Sequence, residues 1–436
     1  MDYAEARKFI AQISVRGIEP GLTSISNLLS LLGNPQDDLR FIHIAGTNGK
    51  GSVLAYLSSV LKKAGYQVGR YISPTLFSYR ERIQINDTYI SRDDFSRQLT
   101  KVAEAMEQMK KMGMGLPTVF EVETAVSFLH FKEKKCDFVL LETGMGGRLD
   151  ATNIIRTPVL TVLASISMDH MQYLGNTLAE IAWNKAGIIK QGVPVVASHQ
   201  EPEAQRVICD EAEKNGSECV FVNPEQITEV EYGLERQSFV YGSFGKTVIH
   251  LAGQHQVENA ALALECIRML RKAGYSVPDE AVWEGMEQTV WKGRFSVVHR
   301  KPFVILDGAH NPDAARRLRD AILEYFPDRK KYYIFGVFSD KEYDKIIDIT
   351  AELAEHIYTV ETPGNPRALP SEKLAEAIRR KNPSVEPAES IADAVRKSFQ
   401  SAGEDGVILV FGSLSFLGEA EKAVKEQDRT YEENVL

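Results

Sequence analysis

A glycine-rich septet, Gly46-Thr47-Asn48-Gly49-Lys50-Gly51-Ser52, constrains this chain more than any other feature. Residues 40–45 before it are a short apolar run with β character. After it, Val53, Leu54, Leu57, Val60 and Leu61 recur at the spacing of one helix face, and Gly65 stands where a glycine ends such a helix. The next strand starts within 68–72, so 40–73 reads as a β-α-β unit. This is the setting that a phosphate-binding loop requires. The glycines let backbone approach an anion, amides and the helix N-terminus point at it, and Lys50 adds a point charge. Ser52 offers a hydroxyl to Mg²⁺. The strict GxxxxGK[ST] pattern is not met, because Ile44 stands at its first glycine and Gly51 follows the lysine. An ordinary glycine-rich turn is the competing reading.

The alternation continues downstream. Residues 138–141 and 159–166 are apolar runs of the kind buried on both faces of a parallel sheet. From about 220 to 253 the pattern changes to short β-type runs with turn glycines, which predicts a small antiparallel addition. A second α/β series begins near 297, with candidate strands at 303–306, 332–337, 356–360 and 407–411. The join falls around 291–302, where Lys292-Gly293-Arg294 breaks the periodicity. A length of 436 residues suits such a division, and we expect domains at 1–295 and 296–436 with a cleft between them.

Composition narrows the function. The net charge of −9 argues against nucleic acid as a partner, since phosphate neutralisation needs a basic surface. No apolar run approaches a membrane span, and residues 1–21 lack a signal-peptide core. Cys136, Cys209, Cys219 and Cys266 form no CxxC or zinc spacing. The expectation is a cytoplasmic protein in a reduced compartment, acting as a monomer, with neither nucleic acid nor membrane as partner.

Three further clusters fall just past buried strands. Glu142 ends the 138–141 run, where its carboxylate reaches the ligand edge of the sheet and suits Mg²⁺; a capping glutamate is the alternative. Asp150 lies one loop further on, able to accept from a substrate amine or merely to hold a turn. His170, in Ser167-Met168-Asp169-His170, falls at the same edge, as a ligand or as a structural histidine. In a helix expected over 177–190, Lys185 lies on the apolar face drawn by Leu178, Ile181, Ala182, Ala186 and Ile189. Burial there disfavours the ammonium, unless the side chain snorkels to solvent. Asn184-Lys185-Ala186-Gly187 does not complete the guanine-selective Asn-Lys-x-Asp motif, so ATP is the expected nucleotide.

The motifs GTNGKGS (46–52), ETGMGGRLDATN (142–153), SMDHMQYLG (167–175), EIAWNKAGIIK (180–190), GQHQVENA (253–260), WKGRF (291–295) and DGAHNP (307–312) occur in this order. In them the chain resembles the folylpolyglutamate synthases and bifunctional dihydrofolate synthases of the Mur ligase superfamily, over roughly residues 5–425. The resemblance implies an α/β fold of two domains. One is an N-terminal P-loop, Mur-ligase-like ATPase domain carrying the small antiparallel β addition, and the other a C-terminal Rossmann-like α/β domain. It also implies an ATP-dependent amide ligase that joins L-glutamate to a reduced folate or to dihydropteroate through an acyl phosphate.

Carried onto this sequence, the resemblance implies that Thr47, Asn48, Gly49, Lys50, Gly51 and Ser52 hold the triphosphate. Ser52, Ser73, Glu142 and His170 would be Mg²⁺ ligands, at two sites. Asn259, Arg294 and Asp307 would contact nucleotide, and His310 and Ser413 would receive glutamate. Pro20, Gly21, Leu22, Phe120, Glu121 and Asp150 would meet the pterin end. Lys50, Glu142, His170 and Lys185 form the expected catalytic group. The family carries a carbamylated lysine in the motif holding Lys185, against the alternative of a plain ammonium on phosphate. Thr75 stands where many relatives have histidine, and Trp183 where a small or charged residue is usual. Two other readings remain: a cell-wall Mur ligase, whose usual extra N-terminal domain has no room before residue 46, and a non-catalytic nucleotide-binding protein on the same scaffold.

Overall fold

The computed structural model describes residues 1–14, 17 and 21–435, with side chains described as far as 427. Pro20 lies outside the described residues. Two parallel-rich sheets organise the chain. In the first, strands run in sequence as Phe41–Ala45 (β1), Val68–Tyr71 (β2), Ile83–Ile85 (β3), Thr88–Tyr89 (β4), Phe138–Glu142 (β5), Leu160–Leu163 (β6), Val195–Ala197 (β7) and Cys219–Phe221 (β8). Their spatial order is β4-β3-β2-β5-β1-β6-β7-β8, parallel except for the β3–β4 hairpin at one edge. The sequence pattern alone does not reveal that hairpin.

Strand alternation explains the layers. Leu140 and Ile42 pack on one face with the helices Lys50–Lys63, Gln254–Lys272 and Asp279–Glu287. Val139, Leu141 and Phe41 pack on the other face with Arg92–Lys111 and Val119–Glu133. The antiparallel addition is three strands, Ile227–Glu231 (β9), Gln237–Tyr241 (β10) and Lys246–Ile249 (β11). It starts later than the expected 220, because 219–221 pairs in parallel with β7. Phe239, Tyr241 and Ile249 seat it on the first face of the main sheet.

The second sheet comprises Ser296–Arg300 (β12), Phe303–Leu306 (β13), Lys331–Phe335 (β14), His356–Thr359 (β15), Val385–Pro387 (β16) and Val407–Phe411 (β17), in the order β12-β13-β17-β14-β15-β16. All but β12 run parallel. The two strands beyond the four expected are the edges β12 and β16. Carboxyl ends of β1, β5 and β6 face those of β13 and β17 across the seam, the arrangement in which open α/β sheets bind ligands. Among the described residues no helix is long and apolar enough to cross a membrane.

Candidate active site

One cavity at this seam is lined by both units. On the first side, the helix Lys50–Lys63 starts at Gly49, whose φ of 86° is left-handed, and no side chain caps it. Its first-turn amides are therefore left for an anion. A Cβ at Gly49 would stand 2.4 Å from Asn259 Oδ1, so the loop closes only on glycine. The amides of Thr47 and Asn48 are engaged elsewhere, donating to the Ser165 carbonyl at 2.8 and 3.2 Å. Asn48 lines the cavity, and its side chain also reaches across the seam, Nδ2 donating to Asp313 Oδ2 at 2.8 Å. Gly51, the departure from the strict motif, has a physical cause. A Cβ there would come within 2.8 Å of the Trp291 indole.

Two lysines converge on one oxygen. Lys50 Nζ donates to the Gly46 carbonyl at 3.0 Å, and Lys185 Nζ donates to the same carbonyl at 2.9 Å. Burial holds both below the usual lysine range, Lys185 at about 7 with the Lys50 charge adding to the effect. Lys185 is 4% exposed, so it does not snorkel. Its helix, Leu178–Ala186, ends earlier than the expected 190, at Gly187. The apolar pattern runs on through buried Ile188 and Ile189 without helical backbone.

Glu142 Oε1 lies 4.0 Å from Lys50 Nζ, and Oε2 accepts only a long 3.4 Å bond from the Ser73 amide. Burial pushes its carboxyl above the usual range. A buried carboxylate with such sparse partners, in a cavity also lined by Ser52 and Ser73, fits a hard cation. Among the described residues no group of three His, Cys, Asp or Glu side chains is placed to hold a metal ion by itself. Mg²⁺ here would complete its shell with phosphate and water oxygens, as that ion usually does. His170 is half-buried on the cavity wall, and burial lowers its imidazole to about 4, which keeps a nitrogen lone pair available.

Asp169, beside it, was not singled out by sequence reasoning. It takes Lys341 Nζ on Oδ1 at 2.7 Å, and His310 Nε2 lies 3.6 Å from Oδ2. Those partners outweigh its desolvation and hold the carboxyl far below the usual range. Across the seam, Arg294, Asp307 and His310 line the same cavity, as does Asn259. Asp307 is fixed by the Phe295 and Ala309 amides, both at 2.8 Å, and burial raises its pKa. His255, Ala314 and Leu318 line the far end. Ser413 is not on the cavity wall; its Oγ caps the short turn Leu414–Phe416.

The pterin-side residues fall elsewhere. Gly21 and Leu22 lead into the helix Thr23–Leu31, and Leu22, Phe120 and Ala151 share an apolar cluster on the second face of the sheet. The Phe120 ring lies under Gly144, where a Cβ would approach it to 2.7 Å. Glu121 completes a capping box with Thr118, so its carboxylate faces its own helix. The contacts of Asp150 are those of the turn-holding alternative. Oδ1 accepts from the Thr152 amide and hydroxyl at 3.0 and 2.6 Å, and Oδ2 from the Met145 amide at 2.9 Å. These bonds organise the 143–153 loop and leave Asp150 off the cavity wall. Nothing local in the sequence distinguishes that saturated carboxylate from a ligand.

The arrangement suits transfer of a charged group. It has an uncapped helix start, two lysines and an under-compensated carboxylate on one side, and an arginine and a fixed carboxylate on the other. Known proteins are similar throughout. A family model for the Mur ligase middle domain matches residues 44–267, and one for the Mur ligase glutamate ligase domain matches 293–414. The dihydrofolate synthase/folylpolyglutamate synthase of Bacillus subtilis is 36% identical, over 97% of this chain and 99% of that protein. The folylpolyglutamate synthase of Lacticaseibacillus casei is 32% identical over 85% and 88%. Among solved structures, Mycobacterium tuberculosis folylpolyglutamate synthase complexed with ADP superposes with a TM-score of 0.89 at 30% identity, covering 97% of this chain and 98% of that one.

Proposed function

Because the chain belongs to the folylpolyglutamate synthase/dihydrofolate synthase family of Mur ligases, we propose that its seam cavity is where ATP drives the joining of L-glutamate to a folate. The enzyme is an ATP-dependent ligase of this family, and ATP is its nucleotide. The observation that carries the placement is the single cavity lined by Lys50, Lys185 and Glu142 from one unit and Arg294, Asp307 and His310 from the other. We take the units to divide at 295/296, in keeping with β12 beginning at Ser296.

The residues divide the work as follows. Amides from Gly49 onward and Lys50 orient the triphosphate and offset charge as the γ-phosphoryl group moves to the folate carboxylate. Asn259, Arg294 and Asp307 hold the nucleotide from both sides, which draws the units together and keeps water from the acyl phosphate. Ser52, Ser73, Glu142 and His170 would hold Mg²⁺ at two positions. When bound, it supplies charge neutralisation at the phosphates. His310 receives glutamate, whose amine then displaces phosphate, while Leu22 and Phe120 hold the pterin end. Both halves of the cavity come from one chain, which supports a monomer, working in the cytoplasm. The bifunctional relatives support dihydropteroate as a second acceptor.

Lys185 is the expected carbamate. An amine with a pKa near 7 is largely neutral at physiological pH, and a neutral amine adds to carbon dioxide, forming an N–C bond and releasing a proton. Lys185→Ala should then recover part of its activity with added short carboxylates, and Lys185→Glu should exceed Lys185→Arg. Activity retained in Lys185→Arg would defeat the carbamate. The ligase reading itself is tested by incubating the protein with ATP, L-glutamate and either tetrahydrofolate or dihydropteroate. We expect ADP release that depends on the acceptor; none with any folate would overturn it.

A further inference from the structure

Asn311 makes a set of contacts that the ligase scheme does not use. Its side chain is 1% exposed at the seam. Its Oδ1 accepts the Ala314 amide at 2.9 Å and so caps the helix Pro312–Tyr325, and it also accepts a longer bond from Asn48 Nδ2 at 3.4 Å. Its Nδ2 faces the other unit, donating to Asn48 Oδ1 at 3.2 Å and to Asp169 Oδ2 at 3.3 Å. One short amide therefore joins a helix start in the C-terminal unit, the phosphate loop, and the carboxylate next to His170.

The two loops it touches are themselves tied. Thr47 Oγ1 donates to the Ser167 carbonyl at 2.9 Å and accepts the Ser167 amide at 3.0 Å. A displacement of Asn311 is thus felt by both loops that face the phosphates. A capping role alone needs only the acceptor oxygen. The donor nitrogen, buried and turned to Asn48 and Asp169, has no part in capping.

We propose that Asn311 is a positioning residue that couples seating of the C-terminal unit to alignment of the phosphate loop. Phosphoryl transfer then reaches full rate only when the glutamate-receiving unit is docked. This inference rests on the ligase reading above.

Asn311→Asp separates the two roles. It keeps the capping oxygen, removes the donor and sets a second carboxylate against Asp169. In the full-length protein we expect the buried carboxylate pair to lower the melting temperature without preventing folding, kcat lowered at least tenfold, and KM for ATP raised as the docked population falls. Adding Asp169→Asn returns a donor opposite the new carboxylate and should recover at least threefold in kcat over Asn311→Asp alone. Asn311→Ser, which also caps, serves if the aspartate variant is unstable. Wild-type kinetics in these variants, or a loss with no recovery in the double variant, would leave Asn311 as a helix cap only. Small-angle scattering with a non-hydrolysable ATP analogue separates this from failure of the ligase reading, because it needs no turnover. There we expect wild type to contract and Asn311→Asp to contract less; equal contraction overturns the coupling.

Discussion

Two strand–loop–helix units face each other across the cavity, and they treat their helix starts in opposite ways. β1 leads through Gly46–Gly49 into a helix that no side chain caps. β13 leads through Asp307–Asn311 into a helix capped by Asn311, with Pro312 in its first turn. The uncapped start leaves its amides for a ligand, whereas the capped start satisfies its own. The first loop therefore acts largely through backbone plus Lys50. The second contributes side chains, Asp307 and His310. One architecture supplies an anion cradle or a rigid mount, depending on whether the residue before the helix is Gly49 or Asn311.

The contrast can be broken most severely at Lys50. Lys50→Ala should lower kcat by roughly 10³-fold or more, with the melting temperature unchanged, because the residue supplies charge and not packing. A variant that keeps most of its turnover would make 46–52 a structural turn. Gly49→Ala attacks the cradle itself. With φ at 86° and Asn259 Oδ1 2.4 Å from the new Cβ, the loop must shift. We expect kcat/KM for ATP to fall on the order of 10²-fold while KM for glutamate stays put; equal damage to both would erase the distinction between the loops. Arg294→Ala probes the mounted side. KM for ATP should rise and kcat fall together, each by roughly tenfold. Wild-type kinetics in Arg294→Ala would show that the residue does not reach the nucleotide.

The smallest effect sharpens the comparison through stability. The Lys185 pKa falls from the ordinary 10.5 to about 7 on folding, because burial disfavours the charge. Between those values the unfolded chain binds more protons than the folded one, so stability rises with pH across that window, and the penalty is fully present below pH 7. Lys185→Met should remove that dependence and make the protein more resistant to urea at pH 6.5 than wild type, measured free of carbon dioxide. Parallel urea midpoints for the two proteins from pH 6.5 to 9.5 would refute a desolvated amine.

What was legible in the sequence is what neighbouring residues determine. The 46–52 loop follows β1 directly, Glu142 ends β5 and His170 lies in the loop after β6, and position in the chain implies position at the sheet edge. Lys185 was legible because helical spacing places it among apolar residues. The edge strands β12 and β16 were not, since partial burial weakens their apolar signal. Asp169, Lys341 and the cross-seam contacts of Asn48 escaped for another reason. Their partners lie up to 265 residues away, and no local pattern records which side chain will cross a seam. Asp150 shows the converse ambiguity. Its loop position allows a ligand or a turn holder, and the donors that reach both its oxygens come from its own turn.

The contact between Gly51 and Trp291 bears on how such a loop can change over generations. A hydroxyl-bearing residue at 51 would bring the end of the loop to the strict GK[ST] spelling, with Ile44 still at the first glycine, yet its Cβ would meet the indole at 2.8 Å. Replacing Trp291 first would open a hole beside the loop and against the main core, where the ring now packs. Either single step is disfavoured, and only the pair restores fit. Positions 51 and 291 are thus expected to be inherited as a unit, and lineages that alter one should carry a matching alteration in the other.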